Sequence, residues 1–142
     1  MYRIIIFFLF QVSVFSILSA QETIYVKTQP GDATPRLQNA IEQARHFKGK
    51  KVVIQLEQGN YDLYRNSSSK QVYFISNTAS KEENPDPTKH IGLWIKDMKN
   101  LIIDGGGAHL ITHGEMTSFV IDKSENITLR NFTLKAADPS VV

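Results

Sequence analysis

The chain contains no cysteine. That removes a disulfide scaffold, a thiolate zinc site, a cysteine nucleophile and a lipidated N-terminal cysteine. An excess of one charge is also missing: 16 Lys and Arg face 14 Asp and Glu, a formal net charge of +2. A nucleic-acid binder should carry a clustered basic face, so that class is set aside. Tryptophan occurs once and proline five times among 142 residues. With 42% hydrophobic and 21% charged residues, the chain is not disordered as a whole. Its length allows one domain.

Long apolar runs are absent after the first twenty residues. Met1-Tyr2-Arg3 gives a short positive start, and Ile4 to Leu18 is largely apolar, broken by Gln11, Ser13 and Ser16. Leu18-Ser19-Ala20 offers a small residue at a cleavage position. This is the layout of a secretory signal peptide, so residues 1–20 are expected to be removed, with the cut between Ala20 and Gln21. A spanning helix needs about 20 mostly apolar residues, which this interrupted run does not supply. The expected mature chain, residues 21–142, has no membrane span. Export without cysteine points weakly to a bacterium, and hence to a periplasmic or secreted protein.

Thr34 reads as an N-cap and Pro35 as the first residue of a helix over 35–48, with Gly49 as its stop. Leu37, Ala40, Ile41, Ala44 and Phe47 share one face of it. Elsewhere the texture is that of short strands punctuated by Gly, Asn and Asp, at 23–26, 52–56, 61–64, 72–75, 92–95, 101–103, 109–111, 119–121, 127–129 and 132–134, with a polar loop over 77–90.

These strands repeat. A shift of 26 residues lays "LWIKDMKNLIIDG" on "FVIDKSENITLRN". Leu93 meets Phe119, Ile95 meets Ile121, Asn100 meets Asn126, Leu101 meets Ile127, Ile103 meets Leu129 and Gly105 meets Asn131. Strands and turns recurring at this period describe the coils of a parallel β-helix, with alternate apolar side chains inward. Asn100 and Asn126 should stack at one corner, bonding amide to amide. The helix should cover the apolar disc and free edges of the first coil. The alternative is an antiparallel sandwich of two similar hairpins.

The chemistry-bearing residues give little. Asp104-Gly105-Gly106-Gly107 lacks the Lys and Ser/Thr of a phosphate loop and leads into a strand, so it is a turn. His109 and His113 lie on a strand without a third ligand, so no metal site is expected. The sequons at Asn66, Asn126 and Asn131 mean little in a bacterial chain. Glycoside hydrolysis needs two carboxyl groups. Asp62, Asp86, Asp97, Asp104, Glu115, Asp122 and Asp138 are available, mostly in turns; Asp122 should point outward from a strand. They form no evident pair.

At "NPDPTKHIGLWIKDMKNLIIDGGGAHLITHGEMTSFVIDKSENITLRNFTL" the chain resembles the N-terminal part of bacterial α-1,3-galactosidases of glycoside hydrolase family 110. The stretch "TPRLQNAIEQARHFKGKKVVIQLEQGNYDL" fits the family's capping helix and first coil, and many other β-helix enzymes too. The resemblance implies an all-β, right-handed parallel β-helix, export, and inverting hydrolysis of terminal α-1,3-linked galactose on blood-group-B-type glycans, without a cofactor. Family members are several times longer, and their catalytic acids lie downstream of the matched region. The catalytic residues are therefore expected beyond Val142, and none is assigned here. About three coils fit, and no cap follows Leu134, so the chain reads as the truncated start of such a domain, inactive alone. Two other readings stand beside it: a β-helix lyase or hydrolase acting on pectin-like polysaccharide, and a non-catalytic glycan-binding or surface module.

Overall fold

The computed structural model describes residues 21–73 and 86–138. The expected leader lies outside them, as do Phe74 and Ile75 and most of the expected 77–90 loop. In order, the elements are β1 (Gln21–Val26), α1 (Thr34–Ala44), β2 (Lys51–Leu56), β3 (Asn60–Tyr64), a 3₁₀ turn (Arg65–Ser67), β4 (Ser69–Val72), β5 (Thr88–Lys96), β6 (Lys99–His113), β7 (Thr117–Asp122) and β8 (Glu125–Ala136). The all-β expectation holds, with a single α-helix among the described residues.

The strands pair in parallel at the register of the repeat. Leu93 lies beside Phe119 and Ile95 beside Ile121. Leu101 lies beside Ile127 and Ile103 beside Leu129. These pairings exclude the antiparallel sandwich for β5 to β8. On the other edge of β6, β2 matches Val52 to Leu101 and Ile54 to Ile103, and β1 matches Ile24 to Ile54. One inward row thus runs Ile24, Ile54, Ile103, Leu129 across four strands. A second runs Tyr61, Leu110, Leu134 across β3, β6 and β8. The one antiparallel ladder among the described residues joins β4 to β5, Ser69 opposite Ile91.

Burial follows the rows, because period-two alternation sends every second side chain inside. Ile54, Tyr61, Leu63, Ile95, Leu101 and Leu110 are fully buried, and each such aliphatic side chain stabilises by about 1.5–3 kcal/mol. One layer further on, Ile121 is 48% and Leu134 45% exposed, so β7 and β8 form the thinly covered face of the stack.

The corners repeat as well. Asp97 and Lys123 take φ of 51° and 46°, and Asn100 and Asn126 take 57° and 56°. Asn tolerates this left-handed region better than most residues. Asn126 Nδ2 donates to Asn100 Oδ1 at 2.7 Å, the expected amide-to-amide bond.

Three sequence expectations need correction. The 26-residue shift ends at Asp104, which pairs with Arg130; Ala108 then pairs with Phe132, a shift of 24. Three glycines stand where the next pass has Asn131 alone. Gly106 and Gly107 take φ of 56° and 87°, which lets the extra residues bulge outward without strain. The helix ends at Ala44 rather than at 48. Past it Arg45, His46 and Phe47 donate to carbonyls three residues back, so the chain tightens before Gly49 turns it at φ 78°. Thr34 is not the cap either. Asp32 Oδ1 accepts the Thr34 N–H at 2.8 Å, and Thr34 Oγ1 instead accepts the Tyr64 N–H at 2.9 Å, from within the fold.

Leu37, Ala40, Ile41 and Ala44 bury one face of α1 in the core, and α1 packs against β1, β2, β3 and β5. The helix therefore closes the stack on the side away from β7 and β8. No helix among the described residues is long and apolar enough to cross a membrane.

Candidate functional site

Outward-facing positions collect the polar chemistry, because the inward rows are apolar. Three clusters result, each joining residues far apart in sequence.

The first is Asp104, Arg130 and Asn131. Asp104 is buried at the start of the glycine turn. Its Oδ2 accepts Arg130 Nε at 2.8 Å; its Oδ1 accepts Asn131 Nδ2 at 3.0 Å and the Gly106 N–H at 3.1 Å. The Asn131 amide holds the carboxyl below its ordinary range, and the Gly106 N–H and Arg130 add to this against the opposing effect of burial. Both oxygens are engaged, so this carboxylate fastens one strand pass to the next. The Asp-Gly-Gly-Gly segment is a turn, as its sequence indicates.

The second cluster lies on β5 and β7. Asp122 Oδ2 accepts the Tyr73 hydroxyl at 2.8 Å, and the Tyr73 hydroxyl oxygen in turn accepts Trp94 Nε1–H at 3.0 Å. Lys96 Nζ lies 5.0 Å from the Trp94 ring centroid. Burial, and then the bond to Asp122, push the Tyr73 phenol above its ordinary pKa. Asp122 does point outward, and it clamps Tyr73 onto the sheet.

The third lies on β3 and the second half of β6. His113 Nε2 is 2.7 Å from Asp62 Oδ1, and its ring stacks on Tyr64 at 4.4 Å with planes 8° apart. Nearby, Asp32 and Asp62 stand side by side in a parallel bridge. Burial raises the Asp32 pKa, but hydrogen bonds from Ser67, Thr34 and Tyr64 outweigh it and leave the carboxyl below its ordinary value. Asp32 thus closes a local turn onto the Thr34 N–H just ahead of α1, while Asp62 holds His113. Neither has the free geometry of a proton donor and its partner base.

The remaining candidates stay apart. Asp86 accepts the Thr88 N–H at 2.9 Å in a local turn. Asp97 occupies a corner, and Glu115 offers its backbone carbonyl to Arg65 Nε at 3.0 Å. No hydrogen bond among the described residues joins two carboxyl groups. No three His, Cys, Asp or Glu side chains gather as a metal site among the described residues. Of the sequons, Asn126 and Asn131 spend their amides on Asn100 and Asp104. Sequence reasoning missed Asp32 and the Asp62–His113 pair. Period-two alternation does place Asp62 and His113 outward, but only the offset of 49 residues between β3 and β6 aligns them.

The fold and its surfaces define an all-β domain of parallel strand passes, closed at one side by a helix and lined outside with polar clusters. No family model matches the chain. Individual relatives do. It is 42% identical over 125 residues, 88% of its length, to α-1,3-galactosidase A of Bacteroides thetaiotaomicron, covering 22% of that protein. It is 33% identical over 112 residues to an α-1,3-galactosidase B of Phocaeicola vulgatus, and 36% identical over 112 residues to one of Parabacteroides distasonis. Each of these two alignments covers 78% of this chain and 18% of the relative. The chain resembles these α-1,3-galactosidases through most of its length and spans about a fifth of theirs.

Proposed function

We propose that the chain is part of an exported glycoside hydrolase that removes terminal α-1,3-linked galactose with inversion, from glycans of the blood-group-B type. Its framework is a right-handed parallel β-helix, with residues 21–138 forming the helix-capped first coils. The mature protein begins at Gln21. The observation that carries the reading is 42% identity to an α-1,3-galactosidase across 88% of the chain. The parallel register and the helix over one end of the stack support the β-helix.

Within these residues the carboxylates that make contacts are committed to holding the fold. We assign the catalytic pair to the part of the enzyme beyond Val142. An inverting pair wants its carboxyl groups about 6.5–9.5 Å apart, with room for a water between sugar and base. No cofactor is required.

The test is release of galactose from an α-1,3-linked galactosyl disaccharide by the longest product of the coding region, followed by NMR. The reading expects β-galactose as the first anomer formed, and no release by residues 21–142 alone. Initial α-galactose would overturn inversion. Cleavage of pectin fragments without release of galactose would overturn the substrate.

A further inference from the structure

The stack is closed by α1 on one side and open on the other. β7 ends its sheet and pairs with β5 alone, and β8 pairs with β6 alone. Each keeps one backbone edge without a strand partner among the described residues, and such an edge accepts another strand. The side chains along it are apolar. Ile121 and Leu134 are 48% and 45% exposed. Phe119, Ile127, Leu129 and Phe132 are only partly buried against the core. The Phe119 and Phe132 rings stack at 5.6 Å, so β7 and β8 form one continuous face.

The arrangement of these side chains is close to its own reverse. β8 turns a corner at Arg130 and Asn131, where Asn131 takes φ of 59°. Its first half pairs with the part of β6 that carries β2, and its second half with the part that carries β3. The inward positions are Ile127 and Leu129 before the corner, Phe132 and Leu134 after it. They lie at equal spacings on its two sides. Half a 26-residue pass back from Asn131 is Ser118, next to the inward Phe119. A two-fold axis in the plane of the open face, through the corner and the middle of β7, therefore carries inward positions onto inward positions. Rotation about it sets the edge strands of two copies antiparallel, with both sets of apolar side chains on one side.

The pairing that results is specific. Leu129 meets the partner's Phe132, Ile127 the partner's Leu134, and Thr128 the partner's Thr133. On β7, Phe119 meets the partner's Phe119, and Thr117 the partner's Ile121. Charges agree with it. Lys123 falls opposite the partner's Glu115 and Arg130 opposite the partner's Asn131, and no like charges face one another along β7 and β8. We propose that the open face binds a second copy of this chain, about a two-fold axis through the Arg130–Asn131 corner. The side covered by α1 takes no part, so the contact closes at two copies and does not propagate. The inference rests on strand register alone and is independent of the galactosidase reading. Polypeptide following Val142 would compete for the same edges.

The test is sedimentation equilibrium of the 142-residue chain, expressed from its own start, over about 1 to 100 μM. The expected result is a reversible monomer–dimer equilibrium without larger species. Ile121→Lys with Leu134→Lys replaces two exposed apolar side chains and should weaken the dimer about a hundredfold, with far-UV circular dichroism unchanged. A second measurement locks the contact in place, since the chain has no cysteine of its own. In Thr128→Cys with Thr133→Cys, each thiol should join its counterpart across the axis. Dissolved oxygen, with copper phenanthroline as catalyst, takes up the two hydrogen atoms, and a covalent dimer appears on a non-reducing gel. Either single variant should stay unlinked, because its own copy lies around the corner, beyond the reach of a disulfide. If the lysine variant misfolds, the wild-type sedimentation and the cysteine pair still decide. Open-ended oligomers, a dimer unmoved by both lysines, or an unlinked 128–133 pair would overturn the proposal. So would a monomer throughout that range, which would leave the face to polypeptide beyond Val142. The galactose-release assay reads the enzyme assignment separately and is untouched by any of these results.

Discussion

Gln38 completes the edge of a strand with its side chain. Its Nε2 donates to the Trp94 carbonyl at 3.0 Å, and its Oε1 accepts the Trp94 N–H at 2.9 Å. Both backbone groups of a residue on a parallel strand point to the same side. At Trp94 that side lies beyond β4, which pairs with β5 only as far as Ile91. The amide of α1 thus stands in for the missing strand and satisfies two backbone groups that would otherwise be left without partners.

Gln38→Ala should therefore cost more than an ordinary surface substitution, about 1–3 kcal/mol. Gln38→Glu retains an acceptor but loses the donor, and places a carboxylate against the Trp94 carbonyl. It should be no better than alanine. Urea unfolding midpoints of the two variants decide the matter; a change in either of less than a few tenths of a kcal/mol would show that water serves that edge equally well.

The Asn100–Asn126 ladder separates into a backbone part and a hydrogen bond. Asn126→Gly keeps the positive φ and loses the bond, so it should cost about 1 kcal/mol. Asn126→Ala loses both and should cost about 1–2 kcal/mol more, because a Cβ is strained in the left-handed region. Equal midpoints for the two variants would contradict the assigned φ of 56°.

Much of this architecture was legible beforehand, and the legible parts share a cause. Leu93 to Leu129 repeat because stacked passes see the same environment, so the chain repeats the same residue types at the same spacing. Asn100 and Asn126 could be paired for that reason. The helix face from Leu37 to Ala44 was legible from its 3.6-residue period. What escaped are relations between unlike neighbours. Nothing in Thr34 alone says that it does not cap α1, since threonine is a good cap and it is Tyr64, thirty residues on, that claims its hydroxyl while Ala33 takes the cap position. The three glycines conceal a change of shift because a bulge preserves polarity on both sides. Gln38 with Trp94, and Asp62 with His113, depend on offsets that no local pattern carries.

Gly105 is fixed by contact rather than by φ. A Cβ there would lie 2.4 Å from Phe132 Cβ and 2.6 Å from the Asn131 carbonyl oxygen. Gly105→Ala must push the β8 backbone away and should cost about 1–3 kcal/mol. A Cβ at Gly49 meets nothing within 4 Å, and only its φ of 78° resists. Gly49→Ala should cost about 1 kcal/mol. The reverse order in thermal unfolding would contradict the close approach of β6 and β8.

Acid should loosen the same junction. The Asp104 carboxyl is held below its ordinary value in the folded chain. Its stabilisation is therefore complete above the unfolded value near 4 and fades as pH falls through the folded value. Asp104→Asn should be less stable than the wild type at neutral pH by about 2 kcal/mol. The gap should narrow as pH drops below about 4. A gap that stayed constant from neutral to acid pH would mean that the charge contributes nothing.

The parallel stack at a 26-residue shift underlies the β-helix, and the absence of cysteine makes it directly measurable. Lys99 and Glu125 are register partners, exposed and joined by an ion pair at 2.7 Å. Adjacent strands lie about 4.8 Å apart, within the Cα range that a disulfide spans. The double variant Lys99→Cys with Glu125→Cys should close to an intramolecular disulfide under mild oxidation, the oxidant taking up two hydrogen atoms, seen as the loss of their mass, about 2 Da. Lys99→Cys with Lys135→Cys should remain reduced. Closure of the 99–135 pair with the 99–125 pair left open would mean that the two passes run antiparallel, and the account would fail at its base.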